Sequence, residues 1–171
     1  MDSIVTETRH WTRPEIAELL ISHTALTDLT REAARDVARL LTPEHVAAGT
    51  VLIEEGVTST GFMALVLEGE AVVANSMEGK DESVLLGEIG PGAVFGELGI
   101  LDGKPRSATV TAVTDMVIAV LDRASLRRLV DEMPSVGCAL LSAIIVRVGE
   151  RLRATNERVH ELVVENKKLK G

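Results

Sequence analysis

From Gly49 onward, short apolar runs alternate with glycines and acidic turns. The runs occupy residues 51–53, 62–67, 71–74, 84–89, 108–113 and 116–121. They are separated by Glu55-Gly56, Glu68-Gly69, Glu78-Gly79-Lys80 and Gly90-Pro91-Gly92, which are turn-forming sequences. No helical crossover fits between successive runs, so the pattern predicts an antiparallel roll or barrel and not a parallel α/β sheet. Gly69 is expected to permit a turn that a side chain would obstruct.

On either side of the strand series the period changes to that of a helix. Ile16, Leu19 and Leu20, then Val37, Leu40 and Leu41, recur at helical spacing and predict two or three short helices within residues 14–41. Thr12 and Thr30 are the expected helix starts, while residues 1–10 are expected to lie loose. After Asp122, a short helix is predicted at 124–131, and Pro134 opens a long one. Along that long helix Leu141, Ile145, Val148, Leu152, Thr155, Val159, Leu162, Asn166 and Leu169 follow steps of four and three, a heptad seam. A helix from 134 to 169 measures roughly 50 Å at 1.5 Å per residue, longer than a domain of this size is wide, so its distal apolar residues require a partner helix. Asn166 falls at a position where one buried amide fixes two-stranded, in-register pairing, and the expected assembly is a parallel homodimer.

The fold class expected is mainly β with α: an antiparallel, jelly-roll-like β-roll flanked by N-terminal helices and a long C-terminal dimerisation helix. One domain spans 1–171, with helices at 11–45, the roll at 46–122, and hinge and dimerisation helices at 123–170. A chain of 171 residues holds one such domain and not two large ones. No apolar run approaches the roughly 20 residues needed to cross a bilayer. The acidic start Met1-Asp2-Ser3-Ile4-Val5-Thr6-Glu7 lacks a basic segment followed by an apolar one, so cytoplasm is the expected compartment.

Charge and composition remove several classes of function. With 26 acids against 18 bases the net charge is −8, the wrong sign for neutralising a phosphate backbone, and two Phe, one Trp and no Tyr leave no stacking platform for bases of a single strand. Cys138 is the one cysteine, and His10, His23, His45 and His160 are scattered, so neither an internal disulfide nor a metal site is expected. Gly-x-Ser-x-Gly, a Walker lysine loop and His-Glu-x-x-His are missing from the sequence, and no catalytic residue is assigned.

The segment 92–110 carries the chemistry. Phe95-Gly96-Glu97-Leu98-Gly99 leads into one predicted helical turn at 97–101 whose amides can face an anion, and Gly96 permits close approach. Nine residues after Glu97, Arg106 supplies a planar fork of donors matched to two phosphate oxygens. Ser107 adds a hydroxyl. Glu97 is an acceptor for a sugar hydroxyl and a counter-charge for Arg106. The same two residues taken alone equally describe a surface ion pair on a loop.

The whole phrase, Phe95-Gly96-Glu97-Leu98 followed by Pro105-Arg106-Ser107-Ala108-Thr109-Val110, closely resembles the phosphate-binding cassette of cyclic-nucleotide-binding domains. The resemblance extends over nearly the whole chain, including 49–56, Leu67-Glu68-Gly69-Glu70 and the terminal helices. It implies a β-roll in which Glu97 binds the ribose hydroxyl, Arg106 binds the cyclic phosphate, and backbone amides at Gly96 and Leu98 complete the cradle, with Phe95, Gly99, Ser107 and Ala108 in the same cassette. Arg151-Leu152-Arg153-Ala154-Thr155-Asn156-Glu157-Arg158-Val159 resembles the dimer helix of the catabolite activator branch. That likeness implies that Thr155 reads the adenine amino group and that Asn156 approaches the nucleotide of the partner subunit, although the family has a serine where this chain has Asn156. A helix-seam role for Thr155 fits the spacing equally well. Ser107, where relatives preferring cyclic GMP carry threonine, implies cyclic AMP as the favoured ligand.

The function implied is a cyclic-nucleotide sensor that regulates a partner protein. Two alternatives stay open: a ligand-free dimer scaffold, and the sensor part of a transcription regulator, since no winged helix follows the long helix in this sequence.

Overall fold

The computed structural model describes residues 9–58, 61–76 and 83–169. The expected turn at Glu78-Gly79-Lys80 and most of the loose residues 1–10 lie outside the described residues. Two short helices, α1 (Arg13–Leu20) and α2 (Arg31–Ala38), precede strands β1 (Thr42–Val46), β2 (Val51–Ile53), β3 (Phe62–Glu68), β4 (Ala71–Ser76), β5 (Ser83–Ile89) and β6 (Val94–Phe95). A single turn and a half, α3 (Glu97–Asp102), leads to β7 (Thr109–Ala112) and β8 (Met116–Asp122), and the chain closes with α4 (Arg123–Glu132) and α5 (Pro134–Leu169).

The helix starts follow from local chemistry. The Glu15 carboxylate accepts from the Thr12 backbone amide at 2.9 Å and from its hydroxyl at 2.7 Å. Those bonds, with Arg9 nearby, hold the Glu15 pKa down at about 2. Thr30 accepts from the Ala33 amide at 3.2 Å, and the Asp122 carboxylate accepts from the Ser125 amide at the head of α4, which lowers its pKa.

The strands form two antiparallel four-stranded sheets, ordered β1-β8-β3-β6 and β2-β7-β4-β5. Strands β3 and β8 are the shared wall. Met63, Leu65 and Leu67 with Val117, Ala119 and Leu121 face a large cluster built with α1, α2, α4 and α5. The intervening Ala64 and Val66 with Met116 and Ile118 face a smaller cluster inside the roll, with Ile53, Phe95, Val110 and Ala112. Burial on both faces is why these two strands read as unbroken apolar runs. Gly69 turns β3 into β4 at φ +82°, where a β-carbon would collide with the Asp115 carbonyl oxygen.

Two strands depart from the sequence expectation. Strand β1 begins inside the segment 11–45 assigned to helices, pairing Thr42 to Val120 through Val46 to Met116, so the roll begins before residue 46. Its sequence Thr-Pro-Glu-His-Val has no apolar alternation because it is an edge strand, where proline is tolerated and one side meets water. Strand β6 is only two residues long.

Helix α5 docks on its own domain through Gly137, Leu140, Ala143 and Ile144. Gly137 lets α4 approach so closely that a β-carbon would stand 2.9 Å from the Val130 Cα. Beyond residue 150 every described residue of α5 is exposed. The heptad residues Ile145, Leu152, Val159, Leu162 and Leu169 all face solvent in the single chain. No described helix is long and apolar enough to cross a membrane.

Candidate functional site

Strand β6 pairs with β3 through Ala64 and Leu65 and delivers the buried Phe95 to the mouth of the roll. Gly96 then reverses the chain as the left-handed residue ahead of α3, at φ +79°, with the Phe62 carbonyl oxygen 2.6 Å from where a β-carbon would sit. Any other residue meets both a strained backbone and that oxygen. After α3 the chain returns through residues 103–108 to β7. The return is strapped to the turn after β2: the Arg106 amide donates to Val57 O at 3.1 Å and Arg106 O accepts from the Gly56 amide at 2.9 Å.

Two charged side chains in this loop are buried, Glu97 at 4% exposure and Arg106 at 8%. Ionised groups are rarely this enclosed unless partnered. Arg106 Nη1 donates to Gly96 O at 3.1 Å, and its guanidinium carbon lies 5.2 Å from the Phe62 ring centroid. The pKa of Arg106 sits below its ordinary value, first through burial and then through the repulsive field of Arg123; Asp102 and Glu97 act in the opposite direction. Arg123, the first residue of α4, donates to Gly99 O at 2.7 Å and so ties α4 to the cassette.

Glu97 is ion-paired with Arg151 of α5, Nη1 to Oε1. That partner was not anticipated. Arg151 belongs to the stretch singled out on α5, but the contact spans 54 positions, and no local spacing encodes it. Thr155 lies one turn further along, exposed, with its hydroxyl donating to Arg151 O at 2.8 Å, and Asn156 beside it is exposed.

The sequence-predicted residues therefore fall into two groups. Phe95, Gly96, Glu97, Leu98 and Gly99 stand on the β6–α3 corner, and Arg106, Ser107 and Ala108 on the return, all in one loop system. Thr155 is linked to that system through Arg151, whose carbonyl oxygen its hydroxyl meets, and Asn156 follows it on the exposed part of α5. Beside the loop system, a cavity of about 250 Å³ opens between Val51, Leu52, Ile53, Glu54, Val57, Phe62 and Arg106. A largely apolar wall with one carboxylate and one buried guanidinium can accept a small ligand that has an anionic end and an apolar body. Among the described residues no cluster of three or more metal-ligating side chains is present.

Comparison with known proteins agrees with this geometry. The cyclic nucleotide-binding domain model matches residues 43–133, more than half of the chain. The cAMP-dependent protein kinase regulatory subunit of Yarrowia lipolytica is 38% identical over 104 residues, 61% of this chain and 26% of that protein. The CRP-like cAMP-activated global transcriptional regulator of Mycobacterium tuberculosis is 26% identical over 127 residues, 74% of this chain and 54% of the regulator. The chain thus spans between about a quarter and a half of the length of these relatives. A solved cyclic nucleotide-binding domain from Methylobacillus flagellatus KT superposes with a TM-score of 0.75 at 26% identity, over 86% of this chain and 82% of that one. With two antiparallel sheets, a glycine-cornered cassette and a matching family model in agreement, the chain belongs to the cyclic nucleotide-binding domain family.

Proposed function

We propose that this chain is a cyclic-nucleotide receptor, with cyclic AMP its preferred ligand, and that it regulates a partner protein as a homodimer. The observation that carries the reading is Arg106. A guanidinium at 8% exposure, beside Arg123 and lining the cavity, is a fork of donors that an anionic group in the cavity can address. A cyclic phosphate on Arg106 and the amides around Gly96 and Leu98 fits that arrangement, with Ser107 and Ala108 closing the return side. Glu97 accepts from the ribose 2′-hydroxyl.

The Glu97–Arg151 pair links this pocket to α5. A ribose hydroxyl and Arg151 address the same carboxylate, so ligand occupancy and the position of α5 are thermodynamically coupled, and each biases the other. On this reading Thr155 and Asn156, a turn further on, meet the base side of a ligand when α5 shifts toward the roll. The solvent-facing seam of α5 supports pairing with a second copy. Regulatory relatives and the lack of any recognised catalytic motif support a sensor and not an enzyme.

Calorimetric titration with cyclic AMP, cyclic GMP and linear 5′-AMP tests the reading. Saturable binding of cyclic AMP, weaker binding of cyclic GMP and none of 5′-AMP is expected. An absence of heat with every cyclic nucleotide contradicts the receptor assignment and favours the ligand-free scaffold.

A further inference from the structure

Arg123 reaches from the head of α4 into a slot bounded by three glycines. Its Nη2 donates to Gly99 O at 2.7 Å. A β-carbon at Gly103 would lie 2.9 Å from both terminal nitrogens of Arg123, and one at Gly61 would lie 3.2 Å from Nη2 and 2.6 Å from Gly99 O. Gly61 and Gly103 have φ of +75° and +63°, so any other residue there meets a strained backbone as well as that crowding. The slot thus fits the guanidinium closely on the sides of Gly61, Gly99 and Gly103.

Gly99 is also the residue on which Arg106 rests, because a β-carbon at Gly99 would fall on the Arg106 guanidinium. Arg106 Nη1 donates to Gly96 O, three residues earlier. Two guanidiniums therefore grip one turn of α3, Arg106 at Gly96 and Arg123 at Gly99. A helix of six residues has too few internal hydrogen bonds to repay its own nucleation, so α3 depends on such outside contacts. Gly99 O also accepts from the Gly103 amide at 3.3 Å, and Arg123 adds the shorter, charge-assisted bond at this carbonyl in the last turn of α3.

Resting on the cyclic-nucleotide reading of the cassette, we propose that Arg123 is a positioning residue for Arg106: by holding the Gly99 carbonyl from α4, it fixes the seat of the phosphate-binding guanidinium. Arg123 touches no ligand in this role. It is the first residue of α4, so a displacement of that helix pulls on Gly99 and moves the seat of Arg106. Nucleotide affinity then depends on where α4 stands, by a route separate from the Glu97–Arg151 pair on α5.

The test compares the full chain with Arg123→Met, which keeps an apolar stem and removes every donor, and with Arg123→Lys, which restores a charged donor. Calorimetry measures cyclic AMP affinity. Hydrogen exchange follows the Ile100 and Gly103 amides, which close α3 on Gly96 and Gly99, against the amides of β3 and β8. Arg123→Met is expected to bind cyclic AMP about tenfold more weakly and to exchange faster in α3, with β3 and β8 still protected; Arg123→Lys is expected to recover part of both. Unchanged affinity in Arg123→Met overturns the assignment. So does a loss of affinity with α3 exchange unaltered, which would leave Arg123 only a distant electrostatic effect. Both outcomes leave the receptor reading intact, whereas failure of the parent to bind any cyclic nucleotide overturns that reading and this one together.

Discussion

At Gly99 the cassette has no room for a β-carbon, because that position is filled by the guanidinium of Arg106. The obstacle is the far end of a flexible side chain, so Gly99→Ala is expected to fold and to push Arg106 out of place. The variant should therefore keep a melting temperature within a few degrees of the parent and lose at least tenfold in cyclic AMP affinity by calorimetry, a loss of about 1.4 kcal/mol. Undiminished affinity would show that the observed position of Arg106 is irrelevant to binding. Glu97 and Arg106 were legible because both sit in one contiguous phrase whose glycines dictate the backbone. Arg151 was not, because it closes a contact between segments far apart in sequence.

Among the elements, those bounded by strong start or stop residues were the easiest to read. Strand β2, stopped by Glu55-Gly56, and helix α5, opened by Pro134, occupy their predicted residues. Edge strand β1 and two-residue β6 carry no hydrophobic period, since one lies half in water and the other is defined by its neighbours. In α5 two apolar stripes overlap. The stripe through Leu140, Ala143 and Ile144 is satisfied within the domain, whereas Leu152 at 60% exposure and Leu169 at 86% remain uncovered. Stacking that seam on a second copy predicts a dimer by sedimentation velocity at micromolar concentration. Replacing Leu152 and Val159 together by Glu places like charges across the seam and should give monomers with the roll's melting behaviour preserved. A parent chain that sediments as a monomer at every concentration contradicts the paired-helix assembly and leaves the pocket untouched.

Across the whole molecule, a chain with net charge −8 encloses a buried cation, Arg106, beside a mostly apolar roll interior. The overall acidity discourages polyanions, while on the proposed reading Arg106, with the amides around Gly96, receives a small one. Its connections to the rest of the fold are short. Arg123 joins the cassette to α4, and Glu97 through Arg151 joins it to α5, so a ligand held there acts on both terminal helices. The sheet architecture was visible in the sequence as spacing and turns, but these links depend on how the helices return over the roll. Thermal unfolding of the parent and of Arg106→Ala, each with and without cyclic AMP at about 100 times the parent's dissociation constant, tests the central claim most directly. The account predicts a ligand-induced rise of about 5–10 °C in the parent, corresponding to about 2.7 kcal/mol, and little or none in the variant. An equal rise in both proteins would show that the phosphate is not held by Arg106.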